Sequence, residues 1–253
     1  MHSVSMNEIA DQYVRLVLAL GRHDPDYVDA YYGPPEWKAE IEATTPGLSE
    51  IGLRAERLIQ QIGDAESGAG ADELTTLRHR YLKRQLESIS SRVQILSGQV
   101  LSFDDESMAL YDAVAPTHPD SYFQQIIDEL ESLLAGEGPL VERYDGYRAK
   151  FAIPTGRLSA VFEAAIAECR NRTMVEVDVP ATESFTIEYV TDKPWSGYNW
   201  YHGNYRSVIQ VNTDLPVYID RAIDLACHEG YPGHHVYNAL LEKHLMRERG
   251  WNE

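Results

Sequence analysis

The spacing of apolar and polar positions divides the chain into a long helical stretch and a shorter mixed one. Asn7 to Leu20 carries Ile9, Tyr13, Val14, Val17 and Leu18 at helical intervals and then meets Gly21, a residue suited to a helix end. The same period predicts helices over Pro35–Ala43, Leu48–Ile62, Asp72–Leu96, Asp120–Leu134 and Thr155–Arg172. Gly68 to Ala71 reads as a flexible connector, because its small side chains offer little to pack. After about Met174 the pattern changes. Ser184–Val190 alternates as a strand does, and Tyr205–Val211 offers a second strand rich in β-branched residues. Between them lies the aromatic segment Trp195–Tyr205. Asn212–Pro216 supplies helix-start chemistry, with Thr213 or Asp214 as cap and Pro216 in the first turn, so a helix is expected over about Val217–Gly230.

These elements predict a mainly α fold, a helical body with a small β-hairpin or sheet ahead of a histidine-bearing helix. A single domain is expected over 1–253, its helical body ending near 174 and its β element and site helix filling 175–253. The tail beyond the histidines reads as an amphipathic helix, with Val236, Tyr237, Leu240, Leu241 and Leu245 spaced for burial and Gly250 closing it.

Composition narrows the function classes. With 43% apolar and 25% charged residues the chain can bury a real core, while a formal charge of −18 sets its surface against a phosphate backbone. No nucleic-acid partner is expected. The first residues hold Glu8 where a leader would hold basic residues, and no long apolar run follows, so neither a signal peptide nor a membrane span is expected. Only Cys169 and Cys227 are present, too few for a disulfide framework, which fits a reducing, cytoplasmic location. Cys227 falls on a helical stripe with Ile219, Ile223 and Ala226, and is read as a small buried hydrophobe rather than a ligand.

The run His228-Glu229-Gly230-Tyr231-Pro232-Gly233-His234-His235 concentrates the chemistry. A hydrolytic zinc site needs imidazole or carboxylate ligands, an open position for water and a carboxylate to take the water's proton. A zincin helix sets two histidines four residues apart with glutamate after the first. Here the fourth position is Pro232. On a straight helix His235 would lie about 20° around the axis from His228 but roughly 10.5 Å along it, and His234 about 120° away. Pro232 cannot bond the carbonyl of His228 and Gly233 frees the backbone, so a kink is expected that brings His234, or else His235, to the ion beside His228. Glu229 is the expected general base. Asp224, one helical turn before His228, is a candidate to orient its imidazole from behind. Tyr201, His202 and Tyr205 are candidate hydrogen-bond donors to a developing oxyanion. His2, His23, His79, His118 and His244 lack partners at ligand spacing and are read as surface or satisfied histidines.

The motif His-Glu-Gly-Tyr-Pro-Gly-His-His resembles the His-Glu-x-x-Pro-Gly-His-His signature of a bacterial family of unknown function grouped with zinc peptidases related to the Glu-zincins. The stretch Tyr201–Asn212 followed by Leu215-Pro216 is similar to that family's arrangement. The resemblance is specific over about Trp195–Asn238 and general elsewhere. It implies a zincin-like fold, Zn2+ as cofactor, a peptide substrate and a further glutamate ligand on a later helix. The chain ends at Glu253 before any such helix, so the third ligand is expected beyond residue 253, with Glu242 or an upstream carboxylate as a weaker candidate. Metal binding by this chain alone is expected to be weak, and its activity low or nil. The leading expectation is thus a metal-dependent hydrolase acting on peptides. The alternatives are a hydrolase of small amides or esters, and an inactive helical binding or scaffold module with a structural or vestigial metal site.

Overall fold

The computed structural model describes residues 4–28, 30–64 and 72–253. The expected connector Gly68–Ala71 and His2 lie outside the described residues. The chain forms two compact units, Met1–Pro116 with Trp251–Glu253, and Thr117–Gly250.

The first unit is helical. Its elements are α1 (Met6–Leu20), α2 (Pro35–Thr44), α3 (Leu48–Asp64), α4 (Glu73–Leu96) and α5 (Phe103–Tyr111). Ser5 and Glu8 cap α1 reciprocally, and the Asp72 carboxylate accepts from the Thr75 N–H at the head of α4, so the first orphan donors of both helices are satisfied. The apolar stripes of α1, α3 and α4 close on one another through Ile9, Leu20, Ile51, Leu58, Leu82 and Ile89, all fully or almost fully buried. Arg78 joins Trp251–Glu253 to this unit: its guanidinium lies 4.4 Å over the Trp251 ring and pairs with Glu253.

The second unit carries α6 (Asp120–Leu133), α7 (Leu140–Arg148), α8 (Leu158–Glu176), a three-stranded sheet, α9 (Ile219–Leu225) and α10 (His234–Leu241). The strands β1 (Ser184–Val190), β2 (Gly197–Tyr201) and β3 (Arg206–Asn212) lie in the order β1-β3-β2. β1 runs parallel to β3 with Ile187 opposite Ile209, and β2 runs antiparallel to it with Gly197 opposite Val211. Ser207, Ile209 and Val211 alternate into the interior, where Val211 meets Leu158 and Phe162 of α8 and Leu225 of α9. A second cluster, Cys169, Val179, Ala226, Tyr231 and Val236, continues that core beneath the histidine motif.

The mainly α fold with a small sheet is as expected from the pattern, with three differences. β2 emerges from within the aromatic segment; every one of its residues is half-buried, so it lacks the alternation that marks a strand. One domain is expected, with its helical body ending near 174, whereas the chain divides at Pro116 into two units, and in the second α8 packs on α9 and shares one core with the sheet. The site helix begins at Ile219 behind Tyr218 with no side-chain cap: Asp214 accepts from the Asp192 N–H, and Thr213 donates to the Val190 carbonyl. Among the described residues, no helix is long and apolar enough to cross a membrane.

Candidate metal centre

Immediately after α9 the backbone widens into a π-helical turn, Ala226–Gly230, closed by a 3.1 Å bond from the Tyr231 N–H to the Ala226 carbonyl. Such turns open the side of a helix and are frequent at functional sites. The chain then crosses the helix end through a cis Tyr231-Pro232 bond, and the Gly233 N–H bonds the Cys227 carbonyl at 2.9 Å. A Cβ on Gly233 would stand 1.8 Å from the His228 carbonyl oxygen and 2.4 Å from that of Cys227, so no other residue fits this crossing. α10 starts at the next position. The expected break at Pro232-Gly233 is therefore present, as a complete change of helix.

Its consequence is that His228 and His234 face each other. Their ring centroids are 4.8 Å apart, their planes are inclined at 80°, and both side chains are exposed. Two imidazoles bound tetrahedrally to one zinc at ~2.1 Å would have centroids about 5 Å apart, so the pair is spaced to share an ion.

Glu229, between them in sequence, turns inward and is 5% exposed. β2 shapes its niche. Asn199 Nδ2 donates to the Glu229 backbone carbonyl at 2.8 Å, and a Cβ on Gly197 would come within 3.2 Å of Glu229 Oε1 and 2.7 Å of Leu225. Among the described residues, no side chain hydrogen-bonds the Glu229 carboxylate. Burial raises its pKa, and the positive potential of His234, His228 and Arg221 opposes that rise. Two exposed imidazoles and a largely buried carboxylate that no side chain occupies make up part of the set a hydrolytic zinc site uses, which takes three protein ligands besides the base.

His235 goes elsewhere, which removes it from the candidate ligands. It is fully buried, with Nε2 2.9 Å from Glu183 Oε2 and Nδ1 2.9 Å from Ser207 Oγ. The carboxylate can only accept, so Nε2 carries the proton and both ring nitrogens are engaged. Glu183 also accepts from the Tyr231 hydroxyl at 2.5 Å and from Arg170 Nη2 at 2.9 Å. Burial pushes the Glu183 carboxyl upward, but hydrogen bonds from His235, Tyr231 and Arg170 outweigh it and hold the group at about 2. The network thus anchors the residue on each side of the Pro232–His234 crossing. Glu183 and Ser207 carry no local signal of this role, since they meet His235 from 52 and 28 residues away.

The other candidates are placed less directly. Asp224 is about half exposed and pairs with Arg221 instead of backing an imidazole. Tyr201 donates its hydroxyl proton to Glu242, and burial with that neighbouring carboxylate raises its pKa. Glu242 further accepts from the Asn204 N–H at 3.1 Å and from Arg247 Nε at 2.8 Å, so the carboxylate offered as a weak third ligand is already satisfied. Tyr205 lies under the Arg247 guanidinium at 4.7 Å, and His202 is exposed in the β2–β3 turn. His23 and His79 bond the carbonyls of Pro46 and Ile62, His118 stacks on Tyr122 and His244 pairs with Glu248, as satisfied histidines do.

Of the stripe expected to be buried, Ala226 is buried and Cys227 half-buried, while its two isoleucines are open. Ile219 and Ile223 are about half exposed and, with Cys169, Cys227 and Pro232, line an apolar groove of about 860 Å³ between α8 and α9. Among the described residues, no group of three or more His, Cys, Asp or Glu side chains converges as a complete metal shell. No family model, curated protein or solved structure matches the chain.

Proposed function

We propose that this protein is a zinc-dependent hydrolase, with peptides as its substrate class, and that it is zincin-like in the arrangement of its site. The observation that carries this reading is the facing pair His228 and His234 with the buried Glu229, next to His228 in sequence and under the electrostatic influence of both. His228 and His234 would hold the ion. A zinc ion so held would supply Lewis-acid activation of water and of a scissile carbonyl.

The remaining work falls to the chain itself. Glu229 takes the proton of the attacking water and returns it to the leaving amine, a task suited to a carboxylate that no other side chain occupies. Gly197 permits the close approach of β2 to that carboxylate, and β2, at the edge of the sheet, offers backbone groups along which an extended peptide could pair. The likeness of His228–His235 to the signature of the bacterial family described above supports the peptide assignment. To donate to substrate, Tyr201 would first have to leave Glu242.

The second reading, an inactive module with a structural or vestigial two-histidine site, is favoured by the lack of a third converging donor among the described residues. Comparing wild type with Glu229→Ala separates the two. A catalyst retains its zinc and loses peptide hydrolysis by about two orders of magnitude or more; an inactive module shows no hydrolysis in either form.

A further inference from the structure

Cys169 of α8 and Cys227 of the π-helical turn approach each other with their sulfurs 2.8 Å apart. They are the only cysteines in the chain, both are free, and both line the apolar groove between α8 and α9. Cys169 is 8% exposed and Cys227 half-buried, so a small reagent entering the groove meets Cys227 first. A disulfide needs its sulfurs at about 2.05 Å, less than 1 Å closer than they stand, and rotation about the two side chains can supply that. Ala165, Tyr231 and Val236 belong to the same apolar cluster as the pair.

We propose that Cys169 and Cys227 form an oxidisable dithiol, closed by a small disulfide of the glutathione type into an intramolecular bond that cross-links α8 to the turn bearing His228 and Glu229. In the first step the Cys227 thiolate attacks one sulfur of the oxidant, whose other sulfur leaves with the bonding pair and takes up a proton. In the second, Cys169 gives up its proton and attacks Cys227 Sγ, displacing the bound thiol. The chain loses two protons and two electrons, and the oxidant becomes two thiols. The tether falls directly on the residue whose carbonyl accepts from the Gly233 N–H, so closure restrains the crossing that positions His234.

The test uses the full chain, reduced and metal-free, and so does not depend on the hydrolase reading. On incubation with excess oxidised glutathione followed by its removal, the thiol titre of the unfolded product is expected to fall from two per chain to none, with an intact mass about 2 Da lower. Amide exchange at Tyr231 and Gly233 is expected to slow severalfold in the oxidised chain. In Cys169→Ala the oxidant is expected to leave only a mixed disulfide, with no slowing. Persistence of both thiols, stable glutathione adducts on both cysteines, or disulfide-linked dimers would each overturn the proposal.

Discussion

His234 faces His228 across 4.8 Å, yet His235, the very next residue, points into the core and engages both of its ring nitrogens. Consecutive positions at a helix start are about 100° apart, so one histidine can reach outward to a ligand while the other fastens the helix to the sheet. His235→Ala would strip one hydrogen bond from buried Glu183 and another from Ser207. We expect a loss of about 3 kcal/mol in unfolding free energy, because a buried carboxylate loses a partner. Urea denaturation of the two forms measures it, and a change under about 0.5 kcal/mol would show that the network carries no load.

Gly233→Ala tests the helix crossing. The added methyl would sit inside the His228 and Cys227 carbonyls, both backbone atoms that cannot swing aside. The turn must therefore deform, at an expected cost of about 3 kcal/mol or more. Thermal unfolding reads the cost, and zinc binding is expected to fall with it, since the crossing places His234 opposite His228. Undiminished stability and zinc binding would mean that the crossing is not what places the pair.

Acid sensitivity follows from Glu183. Its folded pKa of about 2 lies below the ordinary value of 4.5, so the stability it contributes is fully present above about pH 4.5 and disappears as pH falls toward 2. The contribution is up to about 3 kcal/mol. Glu183→Gln should be less stable than wild type near pH 6, and the gap should narrow as the pH is lowered through that window. Unfolding free energies measured for both forms across the range check this, and a gap independent of pH would refute it.

Helices with a strong apolar stripe were legible in the sequence. The spacing predicts Asn7–Leu20 and Leu48–Ile62, and the helices span Met6–Leu20 and Leu48–Asp64; the strand Ser184–Val190 is found with the expected bounds. α5 and α7 give no such signal because neither buries a side chain in the unit it belongs to. The break at Pro232-Gly233 was legible from backbone chemistry, since a missing N–H and a missing Cβ act locally. What followed it was not. The choice between His234 and His235 depends on Glu183 and Ser207, and the niche of Glu229 depends on Gly197 and Asn199, all brought in by sheet register rather than by spacing along the motif.

Zinc titration against a competing chelator puts the facing histidines to the most direct trial, using wild type, His228→Ala, His234→Ala and, as a control, His244→Ala, whose side chain pairs with Glu248. Binding of one ion per chain is expected, roughly tenfold weaker or worse when either facing imidazole is removed and unchanged in the control. Equal affinity in all four proteins would contradict the shared site.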